Sequence, residues 1–167
     1  MKYQYETKAK SNYPNIRTLN TLLRGCLWSA TTSIDGDIVG GVVTADIAWE
    51  KYKSLNMADE QHAWKAFDIS SYEYSITLLC QALRVKDAIV RISEMKTAFG
   101  VSELNKELAS SDDQSLTEGL AMAYCALARA FTILKKEEEA IASSKTSLQF
   151  AKLSKDALKR GSSFSSK

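Results

Sequence analysis

Apolar residues recur at three- and four-residue intervals along most of the chain, and the runs fall in pairs. Leu19, Leu22, Leu23, Cys26 and Leu27 form one stripe of a helix. That helix follows Pro14 and Asn15, with Asn15 or Thr18 placed to cap its exposed amides. Thr31 to Gly41, TTSIDGDIVGG, has the glycine and small polar content of a loop. Val42 to Leu55 is helical again, with Ala45, Ala48, Trp49 and Tyr52 on one face, so the two helices are expected to close into an antiparallel hairpin.

The pattern then repeats. NMADEQHAWKAF reads as a polar connector or short helix, and Asp68 to Ser71 supply cap residues before Tyr72. Tyr74, Leu78, Cys80, Ala82 and Leu83 suit a first helix. Ala88, Ile89, Ile92, Met95 and Phe99 suit a second, stopped by Gly100 in a left-handed conformation. The link RVKD is so short that the two must pack antiparallel. Beyond the polar SSDDQS, Leu116 to Leu134 is the strongest helix of the chain, rich in alanine and leucine, with Tyr124, Leu127, Phe131 and Leu134 on one face. Lys135 to Glu138 is a charged turn, and Glu139 to Leu158 is its partner, with Ala140, Ile141, Leu148, Phe150 and Ala151 as core.

Three hairpins in succession predict an all-α fold, an α-solenoid in which each pair completes its burial against stacked neighbours. The helical-repeat domain spans residues 14–158, with a basic N-terminal tail at 1–13 and a flexible C-terminal tail, RGSSFSSK, closing the chain from about residue 159. Composition agrees: 45% hydrophobic content over 167 residues can build a core, and one proline with seven glycines is too few for a turn-rich β fold. A net charge of +2 announces neither a nucleic-acid nor a membrane partner. Charge is uneven, basic over the first two dozen residues and from Lys145 onward, acidic between Asp35 and Asp68.

Little catalytic chemistry is offered. Cys26, Cys80 and Cys125 are too far apart in sequence for a disulfide framework or zinc site and read as small hydrophobes of a reducing compartment. His62 has no partner histidine or cysteine, and DGDIVGG lacks the lysine and threonine of a phosphate loop. Asp112, Asp113 and Glu118, like Glu137 to Glu139, read as solvated acidic turns rather than cation sites. Trp28 and Trp49 are assigned to hairpin cores. No apolar run reaches the ~20 residues that cross a bilayer. The opening MKYQYETKAKSNYPN is neither a secretory signal nor an organelle presequence. The expectation is a soluble, intracellular, non-catalytic chain without a cofactor and without DNA as a partner.

PNIRTLNTLLRGCLWSA, with Thr18, Leu19, Asn20 and Leu22 in order, resembles the first helix of a pentatricopeptide repeat, and VVTADIAWEKYKSL its partner. DISSYEYSITLLCQALRVKDAIVRISEMKTAFGV resembles a whole repeat, through Tyr72, Ala88, Met95 and the Gly100-Val101 ending. AMAYCALARAFTILKKEEEAIASSKTSLQFA is equally similar to a tetratricopeptide repeat, through Tyr124, Leu127, Ala128, Phe131 and Ala140. The pentatricopeptide resemblance implies binding of single-stranded RNA, one base per repeat, in organelle RNA processing or translation, hence a mitochondrial or plastid setting. It places base recognition on Asn20 with Asp68, a combination that implies uracil, and adds Arg17 for a base or phosphate and Ser70 and Glu73 at the start of the second unit. The second unit departs from the pattern by putting the acid Glu73 at the early position, and the third puts Cys125 and Leu120 there. The tetratricopeptide resemblance implies a scaffold that holds a peptide or helix of another protein in its groove. A third reading makes the chain the helical arm of a larger RNA-processing enzyme.

Overall fold

A computed structural model describes the backbone of residues 16–32, 38–54, 65–101 and 114–164, and the side chains of 20–28, 38–47, 49–50, 69–101 and 114–155. The described residues form six helices: α1 (Ile16–Thr32), α2 (Ile38–Ser54), α3 (Lys65–Gln81), α4 (Val85–Ala98), α5 (Gln114–Ile133) and α6 (Glu137–Phe164). There is no strand among them, as the all-helical expectation requires.

Two of the connections are the same turn. Leu83 donates its N–H to the Cys80 carbonyl and Arg84 to that of Leu79. Displaced by 52 residues, Lys135 donates to Thr132 and Lys136 to Phe131. These are the paired hydrogen bonds that close a helix through a left-handed residue, and Leu83 and Lys135 both have φ 57°. The next helix starts at once: Ala88 donates to the Arg84 carbonyl and Ala140 to that of Lys136. In each case the cation opening the helix pairs with an acid three residues on, Arg84 with Asp87 at 2.7 Å and Lys136 with Glu139 at 3.8 Å. Gly100, at φ 69°, ends α4 in the same manner and brings Val101 into the core.

α3 occupies the middle of the packing. It lies between α1 and α5, holds α4 as its hairpin partner and also meets α2; α4 in turn reaches α5, and α5 pairs extensively with α6. The backbones of α1 and α2 do not approach those of α5 and α6. One continuous core runs through this arrangement, from Leu23, Val42 and Trp49 through Ile76, Leu79 and Met95 to Leu120, Phe131 and Phe150. Tyr72 stands edge-on between Trp49, at 4.6 Å, and Phe99, at 6.0 Å. Burial of such rings is the main favourable contribution to folding.

Several expected boundaries shift. Ile38 to Gly41 belongs to α2 rather than to a loop. Asp68 to Ser71 lies inside α3, which begins at Lys65, so these residues do not cap it. α6 continues through Arg160 to Phe164, across most of the stretch read as a tail. The residues 1–13 read as a basic tail lie outside the described residues, as do His62, Trp64, Asp112 and Asp113.

The apolar stripes are also narrower than expected. Leu22, Ile89, Ile141 and Leu148 are exposed, because each sits at the edge of its stripe away from the packed neighbours. Trp49 is 1% exposed, as expected, but Trp28 is 68% exposed. Leu23 and Leu27 of α1 turn inward, and Trp28 turns outward with Thr21 and Arg24, seven and four residues before it.

Candidate functional site

The three first helices each carry a stripe of residues that are not fully buried. On α3 the residues between buried and exposed recur as Ser70, Glu73, Tyr74, Thr77 and Gln81, at three- and four-residue steps. The opposite side carries Ser75, which accepts a hydrogen bond from Arg91 of α4 at 3.0 Å. Ser75 follows Glu73 by two residues, about 200° around the helix. The Glu73 stripe therefore faces away from α4. On α1 the corresponding exposed stripe is Thr21, Arg24 and Trp28, and on α5 it is Glu118, Met122, Cys125 and Arg129. α1, α3 and α5 pack side by side, and the side chains of these stripes are of mixed chemistry: aromatic and thioether groups, two arginines and two carboxylates.

The residues implicated by sequence are dispersed by this geometry. Asn20 is 8% exposed and its side-chain amide donates to the Ser71 hydroxyl at 3.3 Å, across the seam between α1 and α3. It lies between helices rather than on the open face. Ser70 and Glu73 lie on the open stripe of α3. Arg17 and Asp68 belong to the described backbone of α1 and α3, but their side chains are outside the described residues.

Glu73 and Glu118 are brought together by the stacking of α3 on α5. Burial raises the Glu73 carboxyl above its ordinary pKa, and the neighbouring Glu118 charge raises it further. Glu118 accepts from Gln114 Nε2 at 2.7 Å and from Ser154 Oγ of α6 at 3.1 Å. Both of these donors to Glu118 are neutral.

The cations on the other side of α3 serve the packing. Arg91 lies 4.2 Å over the Trp49 ring and pairs with Glu94 at 3.1 Å, which joins α4 to α2 through side chains. Burial lowers its pKa, opposed by Glu94. Arg84 bridges Asp46 of α2 at 2.6 Å and Asp87. Sequence inspection overlooked both, since nothing local marks an arginine whose partners come from another hairpin.

The thiols differ. Burial pushes Cys80 up to about 12 and also raises Cys26, whereas Cys125, expected as a small core hydrophobe, is exposed on the α5 stripe. Among the described residues no three His, Cys, Asp or Glu side chains converge as metal ligands, and no helix is long and apolar enough to cross a membrane. No protein-family model, no curated protein and no solved structure matches the chain.

Proposed function

We propose that the chain is a non-catalytic helical-repeat scaffold, a short solenoid of three hairpins, that binds a segment of another polypeptide across α1, α3 and α5. The identical turns at Leu83 and Lys135 support a repeated unit. The choice of ligand rests on one observation: the first helices α3 and α5 carry the acids Glu73 and Glu118 at positions open to water, and the Glu118 charge acts on Glu73. A polyanion laid there meets repulsion, while a peptide finds exposed Trp28 and Met122 as apolar anchors. Asn20, the residue that the pentatricopeptide resemblance makes a base reader, bonds Ser71 at the helix seam instead. This favours the tetratricopeptide-like reading of the groove.

Single-stranded RNA is the second reading, and Arg24 beside Trp28 on the same stripe favours it, because a cation next to an exposed ring is a stacking platform for bases. Fluorescence-anisotropy titrations decide between them, with labelled uridine-rich and adenosine-rich RNA pools and a panel of labelled peptides, at low and high salt. The scaffold reading expects a peptide to bind, and Met122→Asp to weaken it about tenfold or more. Salt-dependent binding of RNA without peptide binding would replace it with the RNA reading.

A further inference from the structure

α6 turns its serines inward and long aliphatic side chains outward. Ser147 donates to the Ala121 carbonyl at 2.7 Å, Ser154 donates to the Glu118 carboxylate at 3.1 Å, and the buried Phe150 stacks on Tyr124 with ring centroids 5.8 Å apart. Among the described helices only α5 approaches the backbone of α6. On the side turned from α5 stand Ile141 and Leu148, 55% and 56% exposed, together with the exposed Lys145, Lys152 and Lys155. With about 100° per residue, all five lie within about 40° of the line opposite Phe150. None of the three lysines pairs with an acid among the described residues. From Ala140 to Lys155 the sequence contains no acidic residue that could do so from the same helix. The face also repeats after seven residues, Ile141 with Leu148 and Lys145 with Lys152.

We infer that the outer face of α6 is a second docking surface, separate from the face of α1, α3 and α5, and that its occupant is an acidic amphipathic helix of another protein. That helix lies along α6 with apolar side chains on Ile141 and Leu148 and carboxylates on the lysines. A seven-residue repeat of apolar positions flanked by charge is the pattern of a helix–helix seam, in which the apolar residues pack and the flanking charges choose the partner. Ile141 to Lys155 offers about 21 Å of such a seam, four turns of a facing helix. Charge sets the partner's sign: unpaired lysines attract carboxylates and repel a basic helix. A second copy docked α6 to α6 would set lysine against lysine. A nucleic-acid strand would use the lysines but lay phosphates over two aliphatic side chains, and the stripe has no ring on which a base stacks. A bilayer would use both kinds of residue, yet two aliphatic side chains in four turns bury little apolar area for an interfacial helix. A facing acidic helix engages all five.

The test uses the full chain and three labelled helical peptides with leucine at the seam positions of each heptad and glutamate, glutamine or lysine beside them. The glutamate peptide is expected to bind most tightly, and less tightly at high salt; the lysine peptide should bind least. Lys145→Gln with Lys152→Gln is expected to weaken the glutamate peptide about three- to tenfold, and Leu148→Ser about tenfold. All three positions are exposed or nearly so on the outer side, and an unchanged thermal unfolding midpoint in the lysine variant shows that the fold is kept. Two controls should leave the affinity as it is: Lys86→Gln, at an exposed lysine of α4, and Met122→Asp, at an exposed residue of α5. Equal binding of the glutamate and glutamine peptides, or an unchanged affinity in the lysine variant, overturns the inference. Loss of the glutamate peptide in Met122→Asp but not in the α6 variants assigns it to the face of α1, α3 and α5 and overturns the inference while supporting the scaffold reading. Binding of uridine-rich RNA or of phosphatidylserine-containing vesicles without any of the three peptides overturns it in favour of a nucleic acid or a membrane.

Discussion

Gly119 of α5 faces Ile69 of α3 and Met95 of α4. A methyl group added there would stand 2.8 Å from Ile69 Cγ2 and 3.2 Å from Met95 Cε. The first atom is fixed on a β-branched side chain and cannot swing away. Overpacking of this kind costs about 1–3 kcal/mol, against roughly 1 kcal/mol returned by the better helix propensity of alanine. Gly119→Ala is therefore expected to lower stability by up to about 2 kcal/mol in urea unfolding, and the loss should shrink in an Ile69→Ala background. Additive effects in that double-mutant cycle would mean that the contact does not carry the strain. Ser71 makes a related point: a small polar residue reads as a helix cap in sequence, but its use here is to let α1 approach and to accept from Asn20. That partner is fifty-one residues away, beyond the reach of local pattern.

At the scale of helices and turns, hairpins two and three were the most legible. Their stripes are regular, their turns are three residues long, and Gly100 announces the stop of α4 by its residue type. The ends of hairpin one were harder to place, since Gly40 and Gly41 favour loops by composition and are nevertheless carried in the first turn of α2. The two matching turns contain a strain that sequence does not advertise. Leu83 and Lys135 adopt φ 57°, a conformation that glycine enters freely and other residues hold at a cost of about 1–2 kcal/mol. Lys135 is exposed and its side chain bears no ion pair among the described residues. Lys135→Gly is expected to stabilise the chain by about 0.5–1 kcal/mol once the greater freedom of glycine in the unfolded state is deducted. A fall in the unfolding midpoint would show that the lysine side chain contributes more than its backbone conformation loses.

Across the whole molecule, the all-helical class could be read from periodicity, because a 3.6-residue stripe reports burial directly. The face could not. Glu73 and Glu118 meet only when α3 stacks on α5, and Trp28 leaves the core because α2 and α3 together occupy other sides of α1. Stability should be graded in the same way. α5 and α6 share the most extensive contact, while α2 touches only α1 and α3 at the backbone level. Hydrogen exchange read by mass spectrometry is expected to protect α5 and the first half of α6 longest and to release α2 earliest. Simultaneous exchange of all six helices would instead describe a single cooperative unit.

The separation of α1 and α2 from α5 and α6 has a kinetic meaning as well. With α3 as the sole first-helix bridge, structure can grow outward from the centre by successive local closures, without any long loop having to shut before the last helix docks. The same chain can fray from either end while the other end stays formed. A ligand lying over all three first helices would act as a splint: it would join helix pairs whose backbones make no direct contact, so its arrival should be felt as a slower opening of the outermost helix.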